Sequence, residues 1–245
     1  MRRAAVALTG LALLLGGCMS TTAGAPTSAE QPGGGESGTA CDYRRASSED
    51  APVGLPPKRA ADSAQGLSLT TSAGELAFTL DAEAAPCTVR SIAFLAEEGF
   101  YDATHCHRMT SSPALKVLQC GDPVGNGTGG PGYTIPDENP TDLEPAGEPD
   151  AQTGESNVRY PRGTVAMANI GTPHSGGSQF FLVYGDSVLP PTYAVFGTLD
   201  PTGLTTLDAV AAAGIVPGRD PQTGMPSPAD GTPVTGVEIT EATVR

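Results

Sequence analysis

The stretch GTVAMANIGTPHSGGSQFFLVYGDSVLPPTYAVFGTL, residues 163–199, decides the fold class. It holds three short runs, GTVAMAN (163–169), SQFFLVY (178–184) and YAVFGTL (193–199), rich in Val, Phe, Tyr and Thr and parted by Gly- and Pro-bearing segments. Runs of this length and composition between turn residues read as strands. The pattern continues outward. Upstream, LSLTT (67–71) and ELAFTLD (75–81) alternate apolar and polar residues across Ser72-Ala73-Gly74, a hairpin signal, and THCHRMT (104–110) and LKVLQC (115–120) follow. Downstream, TGVEITEATV (235–244) closes the chain. Two helical patterns interrupt the strands. Pro86 opens CTVRSIAFLAEE, where its missing N–H costs little, with Val89, Ile92 and Ala93 recurring at helical spacing and Gly99 beyond the end. Leu204 to Ala213 carries Leu207, Val210 and Ala211 on one face. The expectation is a mainly β domain, a closed barrel capped by two helices.

Composition agrees. Glycine (32) and proline (23) make up more than a fifth of the 245 residues, and aromatics are 5% with no Trp. A helical bundle is excluded, because Gly and Pro punctuate nearly every stretch. The formal net charge is −14, which repels phosphate backbones and argues against a nucleic-acid partner.

The N-terminus reads as an address. Met1-Arg2-Arg3 is basic, Ala4 to Leu15 is apolar but too short for a permanent span, and Leu15-Gly16-Gly17-Cys18 follows. That ending resembles the lipobox of bacterial lipoproteins, whose Cys becomes the lipid-bearing first residue. The expected organisation is a signal peptide over 1–17, a lipidated Cys18 with a flexible tether over 18–66, and a folded domain over 67–245. The tether assignment rests on TTAGAPTSAEQPGGGESGT and similar polar stretches, which bury too little to offset their ordering entropy.

Within the domain one ordered series stands out: His107-Arg108, Gln119, Gly121-Asp122, GTGGPGY (127–133), Pro136-Asp137-Glu138-Asn139, VAMAN (165–169), GGSQFF (176–181) and VFGTL (195–199). This series resembles the cyclophilin family of peptidyl-prolyl cis-trans isomerases, over about three quarters of the chain. The resemblance implies an eight-stranded antiparallel β-barrel closed by two α-helices. It implies that Arg108 is the donor to the prolyl nitrogen, that Gln119 holds the substrate backbone beside it, and that Phe181 floors the proline pocket as a third catalytic residue. It further implies substrate contacts from His107, Val117, Ala168, Asn169, Gln179, Leu189 and Tyr193. No metal or cofactor is implied. The chemistry fits these residue types: a permanently charged, planar guanidinium can favour the pyramidal nitrogen of a twisted prolyl bond without any covalent step.

Some positions depart from the family pattern. Ten residues separate Arg108 from Gln119, three more than in the familiar eukaryotic form. Val117 falls where the family usually has Met and Lys116 where it has Phe, unless a bulge brings Leu115 or Leu118 there. Val188 and Tyr193 replace the Trp and His of cyclosporin-sensitive members, so weak cyclosporin binding is expected. Residues Asp142 to Glu155 form an acidic insertion, read as a solvated loop. His105 and His107 share a strand face with Cys106 opposite and no carboxylate placed by sequence, so a metal site is not indicated.

With Cys18 lipidated, Cys41, Cys87, Cys106 and Cys120 remain, an even number that reads as two disulfides in an exported protein. Three pairings are open. If Arg108 and Gln119 share a face, strict alternation sets Cys106 and Cys120 on opposite faces, which favours Cys87–Cys106 with Cys41–Cys120. The functional expectation is an isomerase for proline-containing exported polypeptides, a monomer anchored by lipid to the outer face of a bacterial membrane. A proline-segment binding module or chaperone with little turnover is the alternative.

Overall fold

The computed structural model describes residues 38–46, 52–59, 64–149, 154, 156–219 and 223–245. Cys18 and the basic, apolar leader lie outside them. The strands are β1 (Arg44–Arg45), β2 (Gly66–Thr71), β3 (Gly74–Leu80), β4 (Thr104–His105), β5 (Arg108–Thr110), β6 (Lys116–Cys120), β7 (Tyr133–Thr134), β8 (Val158–Tyr160), β9 (Thr164–Met167), β10 (Phe180–Gly185), β11 (Ser187–Leu189), β12 (Val195–Leu199), β13 (Ile215–Arg219), β14 (Pro226–Pro233) and β15 (Glu238–Val244). Helix α1 spans Pro86–Glu97 and α2 spans Pro201–Ala213.

The main sheet runs β13-β14-β5-β6-β10-β9-β12-β3-β2-β15-β4, with β4 and β13 at its ends. It is mainly β with two helices, as expected, and its eleven strands curl into a half-barrel in which the strand ladder is not continuous between β4 and β5. The reason is local. The run 104–110 breaks at Cys106-His107, so β4 pairs with β15 while β5 pairs with β6 and β14. An isolated bridge between His105 and Asp122 brings the end of β4 beside the chain leaving β6. The hairpin β13–β14 then adds two strands beyond β5.

The core is packed from Phe78, Phe180, Phe196 and Tyr101, each fully buried, with ring centroids 5.7–6.4 Å apart where they meet. Helix α1 covers it with Val89, Ile92, Ala93 and Leu95. Its N-terminus cannot be capped by Ala85. A distant carboxylate does the work: Glu138 accepts from the Cys87 and Thr88 amides, both at 2.8 Å, and from the Thr88 hydroxyl at 2.7 Å. A carboxylate there satisfies orphan N–H groups and complements the helix dipole. Helix α2 uses its own Asp200, whose side chain accepts from Gly203 N at 2.9 Å.

Part of the expected tether is packed. The compact unit runs from Glu36 to Arg245, and Cys41 and Tyr43 belong to its core. Tyr43 donates to Cys87 O at 2.8 Å and meets the Tyr133 ring edge-on at 5.9 Å. Strand β1 pairs with β7. Few apolar residues in 38–59 contribute, so the composition of the stretch hides the contribution of these two.

Two disulfides form, but with a different pairing from the one expected: Cys41–Cys87 and Cys106–Cys120. Strict alternation holds at Cys120, which pairs with Phe180 on the core face of β6, and fails at Cys106. The chain leaves strand geometry at Cys106-His107, and Gly121 has φ +84°, a left-handed conformation that side-chain-bearing residues rarely adopt. A Cβ there would lie 2.3 Å from Ser178 O. The break at Cys106-His107 turns Cys106 into the buried cluster that already holds Cys120.

Candidate active site

Three neighbouring strands set one row of side chains. Arg108 on β5 pairs with Gln119 on β6, and Gln119 pairs with Phe181 on β10, which in turn pairs with Ala166 on β9. Directly paired residues share a face of the sheet, so the charged, amide and aromatic groups point the same way. Alternation along β6 adds Val117 to that face and turns Lys116 away from it, and Leu115, just before the strand, packs against the same cluster. A bulge in β10 between Val183 and Gly185 faces Lys116, whose amide donates to Ser187 Oγ at 3.0 Å. Leu115, not Lys116, therefore packs beside Val117.

The polar end of the row is a connected chain. Arg108 Nη1 donates to Gln119 Oε1 at 3.2 Å, and Gln119 Nε2 donates to Gln179 Oε1 at 2.9 Å. Gln179 Nε2 donates to the carbonyls of Gly127 and Gly129, at 3.1 and 2.9 Å. The other side of the guanidinium is held by Asp230 on β14, through Nε to Oδ1 at 2.9 Å and Nη2 to Oδ2 at 2.6 Å. Arg108 remains 39% exposed, so it faces an open surface.

The apolar end is a second, smaller cluster separate from the main core. Phe181, Val117, Tyr160, Ala166, Val158 and Val183 are buried in it, and Leu115, Leu143, Ala168, Leu189 and Tyr193 pack against it. The Phe181 ring meets Tyr193 at 5.6 Å and Tyr160 at 6.3 Å, both edge-on. Tyr160 ties the cluster's rim together by donating to Pro190 O at 3.0 Å, and its hydroxyl lies 3.3 Å from Tyr193 O. Burial pushes its hydroxyl pKa up to about 12, against the Tyr193 backbone hydrogen bond.

Alongside runs a groove of about 600 Å³, lined by Gln119, Gln179, the glycine-rich loop from Gly127 to Gly132, Ala168 and Asn169. Ala46 from the N-terminal segment also borders it. The Asn169 side chain is committed elsewhere: Nδ2 donates to Thr192 O at 2.8 Å and Oδ1 accepts from Gly171 N at 2.9 Å.

Of the residues singled out from sequence, Arg108, Gln119, Gln179, Phe181, Val117, Ala168, Leu189 and Tyr193 come together here. His107, just before β5, lies beside the glycine-rich loop, its Nε2 3.9 Å from where a Cβ on Gly127 would be. Both of its ring nitrogens are buried without a hydrogen-bond partner among the described residues. Burial lowers its pKa below 6.5; Asp122 opposes this and Arg108 reinforces it. Tyr160, Leu143 and Asp230 were not among the residues singled out from sequence. The first two lie in stretches with no strand-length run, and Asp230 lies in PADGTP, whose only local signal is a turn.

A pH dependence of stability follows from His107. Its folded-state pKa is below its unfolded value, so the unfolded chain binds the proton more readily. The stability difference is present above pH of about 6.5 and is lost as pH falls through the folded value. Asp122 does not cloud that window. Burial raises its pKa, but amides including those of Val124 and Gly127 outweigh this and hold it below 3.8. Thermal melts between pH of about 7.5 and 5 should show wild type losing more midpoint than His107→Gln. Equal losses would show that His107 stays charged or solvated.

Comparisons with known proteins come to the same place. Residues 67–244 match the family model described as cyclophilin type peptidyl-prolyl cis-trans isomerase/CLD. The chain is 50% identical over 192 residues to the probable peptidyl-prolyl cis-trans isomerase B of Mycobacterium tuberculosis, covering 77% of this chain and 58% of that relative. It is 41% identical over 133 residues to peptidyl-prolyl cis-trans isomerase B of Bacillus subtilis, covering 54% of this chain and 80% of the relative. A crystal structure of a Cryptosporidium parvum cyclophilin type isomerase, determined in the presence of the dipeptide Ala-Pro, shares the fold with a TM-score of 0.54 at 24% identity, over 74% of this chain and 99% of that one. With its arginine, paired glutamines and aromatic pocket set on adjoining strands, the chain belongs to the cyclophilin-type peptidyl-prolyl cis-trans isomerase family.

Proposed function

We propose that this protein catalyses cis-trans isomerisation of prolyl peptide bonds in exported polypeptides at the outer face of a bacterial membrane, held there by lipid on Cys18. The observation that carries the catalytic part is the row Arg108–Gln119–Phe181, which sets a charged donor beside an aromatic-floored apolar cluster. The prolyl ring rests against Phe181, Val117, Leu189 and Tyr193. Gln119, Gln179 and the Ala168–Asn169 backbone hold the flanking peptide extended along the groove. Rotation about the C–N bond faces a barrier of about 20 kcal/mol because of amide resonance. Arg108 stabilises the twisted state by donating to the prolyl nitrogen as its lone pair localises. No covalent bond forms or breaks. Each of Gln119 and Asp230 fixes one side of the guanidinium, so the donor is oriented before substrate arrives.

Export is supported by the leader and by two disulfides, which persist in oxidising compartments. Among the described residues no helix is long and apolar enough to cross a membrane. Lipid on Cys18 would therefore be the anchor: each buried acyl CH₂ contributes about 0.8 kcal/mol, and stable attachment takes more than one chain. In detergent phase separation the wild-type protein should enter the detergent phase, and Cys18→Ser should stay aqueous and lack the lipid mass. An unchanged mass and partition for Cys18→Ser would remove the anchor from this proposal. Acceleration of Xaa-Pro isomerisation by the purified protein tests the catalytic part independently.

A further inference from the structure

Arg108 makes its shortest hydrogen bond to a residue 122 positions away. Asp230 takes the Nε–Nη2 edge of the guanidinium with both carboxylate oxygens, at 2.9 and 2.6 Å. Charge-assisted, two-point pairing of this kind fixes the plane of the guanidinium as well as its charge. Gln119 occupies one hydrogen of Nη1 at 3.2 Å. One N–H on Nη1 and one on Nη2 are left uncommitted among the described residues. The two partners thus hold the guanidinium from both sides and leave one donor on each terminal nitrogen free.

The backbone around Asp230 is built to place it. Strand β14 lies against β5 with Asp230 opposite Thr110 and Gly231 opposite Met109. On its other side β13 approaches so closely that a Cβ on Gly231 would lie 2.0 Å from Val216 O. The β13–β14 register shifts between Pro217 and Gly218, beside Gly231. Bulges of this sort re-aim side chains next to active sites. The hairpin carries only partly buried and exposed residues apart from Pro233. Its contribution to the core is small, and its one two-point polar contact with the reacting row is Asp230 to Arg108.

We infer that Asp230 is a positioning residue for isomerisation: it locks the Arg108 guanidinium in the plane in which a free donor meets the prolyl nitrogen. This rests on the isomerase proposal above. A carboxylate in this place could instead compete with substrate for the guanidinium, and the two roles predict opposite signs.

The test compares the full-length wild type, Asp230→Asn, Asp230→Glu and Arg108→Ala, with Asp230→Asn also placed in the Arg108→Ala background. The readout is the cis-to-trans rate on a Xaa-Pro peptide, resolved into kcat and KM. Misplacing a catalytic group by a fraction of an ångström costs on the order of tenfold. Asp230→Asn should lower kcat about tenfold with KM unchanged, because the contact is spent on orientation and not on ground-state binding. Asp230→Glu should recover most of the rate. In the Arg108→Ala background Asp230→Asn should change nothing further. Unchanged or raised kcat in Asp230→Asn, or an equal loss with and without Arg108, overturns the inference. A wild type without activity overturns the isomerase proposal instead. The Arg108 Nε–H resonance then still decides the pair: it should be slowly exchanging in wild type and averaged in Asp230→Asn, and identical signals would dismiss it.

Discussion

Arg108→Ala should lower isomerase turnover by about 10²–10³-fold, equivalent to roughly 3–4 kcal/mol of transition-state stabilisation. The size follows from what the residue supplies. Its guanidinium is held from two sides before substrate binds, by Gln119 and by Asp230, so no reorganisation is needed when the prolyl nitrogen localises its lone pair. A contact made mainly in the twisted state changes kcat more than binding. Affinity for a proline peptide should therefore change little, because Phe181, Val117, Leu189 and Tyr193 still form the apolar cluster. The variant should stay folded, since Arg108 is 39% exposed and lies outside both clusters. Arg108→Lys should not restore turnover. A point charge on a flexible stem cannot hold Asp230 and Gln119 while presenting a free donor. Stopped-flow rates on a Xaa-Pro peptide, with circular dichroism as the folding check, decide it. A folded Arg108→Ala protein with near wild-type turnover would remove the catalytic role.

Cys41→Ser should be the most destabilising single change in the N-terminal segment. The Cys41–Cys87 bond closes a loop of 46 residues, and constraining such a loop in the unfolded chain is worth about 4 kcal/mol. For a chain of this size that corresponds to a drop in Tm on the order of 10 °C. Contacts that depend on the bond add to it: Tyr43 reaches Cys87 O and packs on Tyr133. Cys106–Cys120 should survive the substitution, since it is a separate bond, between the β4–β5 link and β6. Thermal denaturation of oxidised wild type and Cys41→Ser measures the difference, and thiol counting confirms one remaining free Cys at position 87. A Tm within about 2 °C of wild type would show that the segment contributes little and that the loop entropy is offset elsewhere.

The fold was legible where short β-branched and aromatic runs met turn residues. β2, β3, β6, β9, β10, β12 and β15 all lie in runs picked out by that pattern, and α1 begins at the Pro that marked it. The hairpin β13–β14 was not legible. Its residues, IVPGR and PSPADGTP, are the composition of a loop, and they pair only because the sheet margin tolerates Pro. That is also why Asp230 was missed: a residue whose partner lies 122 positions away leaves no spacing to read. The disulfide pairing was missed for a related reason. Alternation is a rule for unbroken strands, and it was applied across Cys106-His107, where the chain leaves strand geometry. The adjacency of Arg108, Gln119 and Phe181 was legible through the ordered motifs, because each lies on or beside a strand whose neighbours bring the others in. The pocket's outer members, Tyr160 and Leu143, come from segments that reach it only through the tertiary fold.

The central claim is that the row Arg108–Gln119–Phe181 turns over prolyl bonds. The most direct measurement is the cis-to-trans relaxation of a Xaa-Pro peptide with and without the purified protein, followed at low temperature. Uncatalysed relaxation takes tens to hundreds of seconds at 25 °C and longer in the cold. Catalytic amounts of protein should shorten it in proportion to protein concentration, and Arg108→Ala at the same concentration should leave it near the uncatalysed value. Relaxation that is unchanged by folded wild-type protein would contradict the claim.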